Sequence, residues 1–446
     1  MMKYLIKNAT LVNEGEIGCF DVLIKDQFIE KIDRNIEVEG TYTEINGEGL
    51  YLLPGAIDDQ VHFREPGLMH KGEIYTEAKA AVAGGITSYM EMPNTVPQAT
   101  SILELEKKYK RASECSLANY SFFMGGTNHN LEEAIKVDYS TVCGLKIFMG
   151  SSTGDMLVNH AEVLEGFFSR INALIATHCE FDPLVKENQK RIIEEYGEDL
   201  EPYFHPIIRN EEACYRSSSM AVELAKKHNT RLHILHISTA KELALFTNKI
   251  PLKEKRITSE ACIHHLWFSD EDYKTKGNFI KWNPSVKTSY DRDKIFEAVL
   301  NGTIDVIATD HAPHTFEEKS LPYLKAPSGG PLVQHSIIAM LDLYHAKKIS
   351  LTKIVEKMSH NVADLFRIEK RGYIKEGYFA DLVLINLNKP QTVTKQNILY
   401  KCGWSPFEGH TFKSSIEKTF VNGHLVYDNG KFDESKYGSR LAFIIR

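Results

Sequence analysis

The stretch that decides the fold is Asp58-Asp59-Gln60-Val61-His62-Phe63-Arg64-Glu65-Pro66-Gly67, which follows the apolar run Leu52-Leu53-Pro54-Gly55-Ala56-Ile57. The apolar run predicts a buried strand that opens into a loop. Because side chains alternate along a strand, Gln60, His62 and Arg64 share one face. That face combines a candidate metal ligand, His62, with a guanidinium that can hold an anion through two parallel hydrogen bonds.

Four further apolar segments carry a polar side chain at or near their ends. These side chains are Lys146 in Gly144–Gly150, His178 after Leu174–Thr177, His236 after Leu232–Leu235, and Asp310 after Ile304–Thr309. A lone histidine at a strand end is usually structural. Five polar strand ends in this order instead indicate one shared site. The lysine is a further sign, because a charged amine within an apolar strand is costly to bury unless it has a role there.

Short apolar strands alternate with amphipathic helices along the middle of the chain. Strands are expected near residues 55–63, 86–92, 119–124, 142–148, 172–178, 230–236, 257–262 and 304–309. Helices are expected between them, among others at 73–83, 102–112, 155–169, 241–247 and 291–300. This alternation predicts an α/β fold with a parallel sheet. Eight units predict a (β/α)8 TIM barrel, whose site lies at the carboxyl ends of the strands.

The two flanks of the chain have a different pattern, with short strands and turns. We expect residues 1–53 and 381–446 to form one small β-sandwich domain built from both termini. Residues 54–380 then form the barrel. A charged helical segment at 181–229 is inserted between the fifth and sixth barrel strands.

Composition restricts the classes of function. The chain has 446 residues, 43% hydrophobic and 25% charged, with a formal net charge of −7. These values are ordinary for a globular enzyme and predict neither a nucleic-acid nor a membrane partner. Seven scattered cysteines lack a Cys-x-x-Cys pair, and the first residues lack a signal-peptide pattern, so a cytoplasmic location is expected.

Two motifs carry a resemblance to a known family. His62–Gly67 and Glu91–Thr95, supported by Asn283-Pro284 and Asp310–His314, resemble the dihydroorotases of the amidohydrolase superfamily over essentially the whole chain. The resemblance implies a zinc-dependent cyclic amidohydrolase that interconverts L-dihydroorotate and N-carbamoyl-L-aspartate in pyrimidine biosynthesis. It also implies a small-molecule substrate and a homo-oligomer, expected to be a dimer. The chain departs from the pattern at Gln60, where a first histidine is expected, and in the insertion after His178.

The resemblance implies one or two Zn²⁺ ions, with two favoured. The implied ligands are His62, Lys146, His178, His236 and Asp310, with Gln60 a weak or absent ligand. Lys146 would be N6-carboxylated, because an ammonium has no lone pair for a metal; Asp155 is the alternative bridging residue. His233 lies an odd number of residues from His236, so it is expected to face the outer helices.

Catalysis and substrate binding are assigned in the same way. Asp310 is the expected catalytic residue, as a metal ligand that also shuttles a proton. The expected substrate contacts are His62, Arg64, Asn94, Asn283, His314, Ser328 and Gly329. His311 points the other way and is expected to be structural.

Two other functions stay open. One is a different cyclic-amide hydrolase, an allantoinase or a dihydropyrimidinase/hydantoinase, but a substrate without a carboxylate would leave Arg64 without a purpose. The other is a non-catalytic subunit that scaffolds aspartate transcarbamoylase. Gln60 favours it, whereas the retention of Lys146, His178, His236 and Asp310 argues against it.

Overall fold

The computed structural model describes residues 3–150 and 156–445. The chain begins with five strands outside the barrel. They are β1 (Lys3–Asn13), β2 (Glu16–Lys25), β3 (Phe28–Asp33), β4 (Thr43–Asn46) and β5 (Tyr51–Pro54). Strand β1 branches: its first half pairs in parallel with β4, and its second half pairs in parallel with β5.

Within the described residues, nine short strands form the barrel wall. They are β6 (Ala56–Val61), β7 (Ile86–Glu91), β8 (Asn119–Phe122), β9 (Met124–Gly125), β10 (Leu145–Phe148), β11 (Leu174–His178), β12 (Arg231–Ile234), β13 (Ile257–Cys262) and β14 (Val306–Ala308). Most of their residues are buried on both faces, as parallel strands covered by helices require.

The strands pair in parallel in the orders β6-β7-β8 and β9-β10-β11-β12-β13-β14. Only Phe123 separates β8 from β9, so the two segments act as one barrel strand. The barrel closes where Val61 bridges His311 and the His62 backbone N–H donates to the His311 carbonyl at 2.7 Å. The expected eight-stranded barrel is therefore confirmed.

In the part of the chain that the structure describes, six strands follow the barrel. They are β15 (Leu382–Asn386), β16 (Gln391–Thr392), β17 (Thr411–Phe412), β18 (Ser415–Val421), β19 (His424–Asp428) and β20 (Lys431–Phe432). Strand β15 pairs antiparallel with β5, which joins both ends of the chain in a nine-stranded sheet. The sheet buries an apolar cluster that includes Ile6, Val22, Leu52 and Leu384.

Fourteen α-helices are found among the described residues. They are α1 (Ile74–Ala83), α2 (Ile102–Cys115), α3 (Leu131–Ile135), α4 (Ala161–Arg170), α5 (Asp182–Tyr196), α6 (His205–Ile208), α7 (Glu211–His228), α8 (Ile263–Trp267), α9 (Tyr273–Lys276), α10 (Ser289–Asn301), α11 (Phe316–Lys319), α12 (Ser336–His345), α13 (Leu351–Val355) and α14 (Asn361–Phe366). Side-chain caps define several beginnings: Ser101, Asn210 and Thr288 each accept a backbone N–H of the first turn of α2, α7 and α10.

Two expected helices differ in detail. The helix expected from residue 155 begins at Ala161, and Asp155 lies outside the described residues. The segment expected to be helical at 241–247 is a 3-10 helix, Lys241–Leu245. None of the described helices combines the length and apolar character needed to cross a bilayer.

Candidate active site

A cavity of about 670 Å³ opens at the carboxyl ends of the barrel strands. Its walls contain all twelve residues that sequence reasoning selected: Gln60, His62, Arg64, Asn94, Lys146, His178, His236, Asn283, Asp310, His314, Ser328 and Gly329. Leu68, Lys71, Phe148 and Trp282 also line it. The fold thus brings together side chains from seven barrel strands and the loops after them.

His178 and His236 face each other in this cavity. The Nδ1 atom of His178 lies 3.0 Å from the Nε2 atom of His236, and burial lowers the pKa of both imidazoles. Neutral imidazoles keep a lone pair for a metal. Two nitrogens that converge in this way are suited to bind one ion.

Lys146 is buried near the cavity floor. Its Nζ atom has no hydrogen-bond partner among the described residues, and it lies 4.6 Å from the centre of the Phe148 ring. Burial lowers the pKa of this amine to about 7. A large fraction is therefore the neutral amine, the form that can react with carbon dioxide to give a carbamate.

His62, Asp310 and Gln60 form a second group of polar side chains. Oδ1 of Asp310 lies 3.2 Å from Nε2 of His62 and accepts a hydrogen bond of 3.1 Å from Nε2 of Gln60. The amide oxygen of Gln60 faces the Cys262 thiol at 3.8 Å. Gln60 therefore presents a donor to Asp310, and this orientation favours a residue that does not coordinate a metal. Burial raises the pKa of Asp310 to about 7.

Arg64 lies on the wall beside these residues. Its Nε donates to the Pro313 carbonyl at 3.0 Å, and its Nη2 lies 3.1 Å from Nε2 of His314. Burial lowers the pKa of the guanidinium to about 10, so it stays charged at neutral pH. Lys71 extends this basic group, with its Nζ 3.1 Å from Nδ1 of His314.

The remaining expected substrate contacts complete the rim. Oδ1 of Asn94 lies 2.7 Å from Nδ1 of His62. Asn283 has a buried Oδ1 with no hydrogen-bond partner among the described residues. The Ser328 carbonyl lies 3.0 Å from Nε2 of His314, and Gly329, at φ +125°, has no space for a Cβ against the Ala312 carbonyl.

Three non-glycine residues of the cavity have a left-handed backbone. The φ angles are +72° at Arg64, +41° at His236 and +48° at Asp310. Non-glycine residues adopt such angles at a cost, and they are concentrated at functional sites. At each position the turn directs the side chain into the cavity just beyond a strand end.

The prediction for His233 is wrong. Strand β12 ends at Ile234 and His236 has a left-handed backbone, so strand alternation does not extend from His233 to His236. His233 instead faces the barrel interior, where its Nε2 lies 3.2 Å from Oδ2 of Asp59 on β6. His311 faces helix α1, 2.9 Å from Oε2 of Glu77, in keeping with its expected structural role.

Sequence reasoning missed the residues that hold the cavity side chains. Oε2 of Glu180 lies 3.1 Å from Nε2 of His178 and 2.5 Å from Nη1 of Arg209. The Trp282 indole donates to the Asp310 carbonyl at 3.2 Å. Glu180 could have been found, because it lies two residues after His178; Arg209 gave no local signal.

Comparisons with known proteins agree with this geometry. The amidohydrolase family model matches residues 51–426. A dihydroorotase of Methanosarcina acetivorans is 32% identical over 419 residues, which cover 91% of this chain and 88% of that protein. A dihydroorotase of Halobacterium salinarum is 31% identical and covers 95% of this chain and 96% of its own.

Solved structures give the same fold. The L-hydantoinase (dihydropyrimidinase) of Arthrobacter aurescens superimposes with a TM-score of 0.93, is 26% identical and covers 100% of both chains. The dihydropyrimidinase of Brevibacillus agri gives a TM-score of 0.89 at 25% identity, over 99% of this chain and 100% of that chain.

Proposed function

Because the chain belongs to the amidohydrolase family, we propose that it is a dihydroorotase, which hydrolyses L-dihydroorotate reversibly to N-carbamoyl-L-aspartate. The relatives named dihydroorotase are about as long as this chain and match most of it. The proposal assigns a cyclic amide of pyrimidine biosynthesis as the substrate.

The observation that carries the proposal is that the buried Arg64 has no carboxylate partner among the described residues. Its guanidinium is buried at the cavity wall, where its hydrogen-bond contacts within the described residues are the Pro313 carbonyl and the His314 ring, neither of them a carboxylate. A buried charge without an ion-pair partner is costly. The carboxylate of dihydroorotate would supply that partner, whereas hydantoin, allantoin and dihydrouracil have none.

The cavity residues fit the zinc that the family implies. Convergent imidazole nitrogens at His178 and His236, and the pair of His62 and Asp310, are nitrogen and oxygen donors of the kind zinc prefers. The unpartnered Lys146 amine lies in the same cavity, where a carbamate on it could bridge two ions. We therefore propose two zinc ions with a carboxylated Lys146, and Gln60 outside the ligand set.

The reaction then depends on how the cavity residues position the substrate and transfer the proton. Bound zinc supplies Lewis-acid polarisation of the scissile carbonyl and activates water as the nucleophile. Arg64 holds the substrate carboxylate, with Asn94 and His314 beside it, and Asn283 offers an amide to the ring edge. Asp310 takes the proton of the attacking water and delivers it to the departing ring nitrogen, which opens the ring.

A substrate panel tests the proposal. Zinc-loaded protein should open L-dihydroorotate and close N-carbamoyl-L-aspartate, and Asp310→Asn should abolish both, because it removes the proton acceptor and weakens a zinc ligand. The second candidate, hydantoin hydrolysis, rests on the likeness to the Arthrobacter L-hydantoinase. Turnover of hydantoin or dihydrouracil at the rate of dihydroorotate would contradict the assignment of dihydroorotate as the substrate.

Two expectations about assembly stay proposals. We propose a homodimer, which light scattering on the purified protein would test. We also propose the domain limits 1–53 with 381–446, and 54–380, which limited proteolysis would test through the position of the first cuts.

A further inference from the structure

A second cluster of ligand-type side chains lies in the barrel interior. Asp59 on β6, His233 on β12 and Glu260 on β13 each have 0% exposure, and their ligand atoms all lie within 4.8 Å of one another. Nε2 of His233 lies 3.2 Å from Oδ2 of Asp59 and 3.6 Å from Oε2 of Glu260. We call these three residues the inner triad.

Hydrogen bonds on the far side of the ring define the tautomer of a neutral His233. The Thr258 hydroxyl donates its only proton to the Leu232 carbonyl at 3.1 Å. It can therefore only accept from Nδ1 of His233, 2.9 Å away. In a neutral ring the proton is then on Nδ1 and the Nε2 lone pair points at two carboxylates, an arrangement that needs either a second ring proton or a metal ion between them.

Three of the four carboxylate oxygens of the inner triad also lack a hydrogen-bond donor among the described residues. Neither oxygen of Asp59 nor Oε2 of Glu260 accepts a hydrogen bond from any described residue. The other oxygen of Glu260 is occupied by the backbone N–H of His236 at 3.0 Å and the thiol of Cys262 at 3.2 Å. Fully buried carboxylates without donors are strongly unfavourable unless a positive charge compensates them.

We propose that the inner triad binds a divalent metal ion of the zinc type, as a structural site separate from the cavity ligands. Zinc accepts nitrogen and oxygen donors at about 2.0–2.2 Å, and donors at that radius around a tetrahedral ion lie about 3.3 Å apart. The two separations from Nε2 of His233, 3.2 and 3.6 Å, fit this spacing, and the two carboxylates lie within 4.8 Å of each other. A divalent ion bound by a neutral imidazole neutralises the charge of both carboxylates and links strands β6, β12 and β13.

The competing arrangement contains a proton instead of a metal. Burial lowers the pKa of His233, but Asp59 and Glu260 outweigh it and raise that pKa to about 9. Burial and the neighbouring Asp59 also raise the pKa of Glu260, to about 7, so an empty inner triad would contain an imidazolium and a Glu260 carboxyl that is partly protonated at neutral pH. The two arrangements differ by one ion, which makes them separable by experiment.

Anomalous scattering at the zinc edge tests the proposal on the wild-type protein. Crystals of the full chain, produced in zinc-supplemented medium, should show a peak bounded by Asp59, His233 and Glu260. The peak should persist after a chelator soak, because the site has no solvent access, while zinc in the open cavity is lost. A map without a peak at the inner triad would overturn the proposal, whatever the enzyme's substrate.

Metal counting on matched variants provides a second test. Asp59→Asn should lower the metal content by one equivalent per chain after chelation. Asp58→Asn is the control, because the neighbouring Asp58 accepts hydrogen bonds from Thr309 instead, and its metal content should stay at the wild-type value. Equal counts in the two variants would overturn the proposal. If Asp59→Asn does not fold, the wild-type map decides alone.

Discussion

The Nε2 atom of His178 lies 3.1 Å from the Oε2 atom of Glu180. This contact holds the ring proton on Nε2, so the Nδ1 lone pair is directed at His236 and the cavity. Carboxylate partners of this kind orient metal-binding histidines and raise their basicity. Arg209 binds the same oxygen, so the inserted segment 181–229 contributes to the geometry of the site.

Glu180→Gln should destabilise the metal-free protein by about 1–3 kcal/mol at neutral pH, the cost of a broken buried hydrogen bond. Burial alone would raise the pKa of Glu180, but Arg209 and His178 lower it far below its usual value. Stabilisation by a depressed pKa is complete above the unfolded value of about 4.3, begins to be lost as pH falls past that value, and is fully lost only below the folded value. Urea unfolding at pH 7 and pH 4 should therefore show a smaller difference in stability between wild type and Glu180→Gln at pH 4.

Exposed Glu187 on α5 gives the control, Glu187→Gln. An equal difference between wild type and Glu180→Gln at both pH values would contradict this account.

Arg64→Lys should keep the charge but lose the planar fork for the substrate carboxylate. A charge-assisted hydrogen bond is worth about 1.5–3 kcal/mol, so kcat/KM for dihydroorotate should fall by about 10- to 100-fold. Steady-state kinetics measure this. The control is Arg111→Lys, since Arg111 pairs with Glu65 and does not line the cavity. Unchanged kinetics in Arg64→Lys would show that the carboxylate binds elsewhere.

Carboxylation of Lys146 should depend on pH. Because burial lowers its pKa to about 7, the neutral amine grows from about a tenth of the population at pH 6 to about nine tenths at pH 8. Reactivation of metal-free enzyme by zinc, at a fixed concentration of dissolved carbon dioxide, should accelerate about tenfold over that range. Lys146→Arg should not reactivate at any pH. A flat rate in the wild type would remove the carbamate from the proposal.

Gln60→His should introduce an imidazole where the structure has an amide donor facing Asp310. An imidazole nitrogen is a better zinc ligand than a neutral amide, so the metal beside His62 and Asp310 should bind more tightly. Metal titration with activity followed in parallel measures the change. Gln60→Asn keeps the amide and should give no tighter binding; equal affinities in Gln60→His and wild type would mean that another residue serves this metal.

The barrel was predictable because its signal is periodic. Apolar segments alternate with helical segments in a fixed order along the chain, and this pattern alone predicts the barrel. The cavity residues were predictable because they lie at strand ends, as His178 and Asp310 do. His233 was mispredicted because alternation holds only within a strand, and β12 ends before His236.

The supporting contacts could not be predicted, because they join positions distant in sequence. Arg209 reaches Glu180 from the end of an inserted helix. Asp59, His233 and Glu260 come from the first, sixth and seventh barrel strands. In the sequence each of these residues looks like an ordinary charged side chain, because its partners come close only in the folded barrel.

The pairing of β5 with β15 determines when the outer sheet can be completed. Leu52 faces Leu384 and Leu53 faces Val383 across this pair, yet the whole barrel is translated between the two strands. A nascent chain on the ribosome therefore carries β5 with one edge unsatisfied, and open strand edges invite pairing with other chains. Completion of the sheet is a post-translational event, and a chain cut short before β15 would leave that edge exposed.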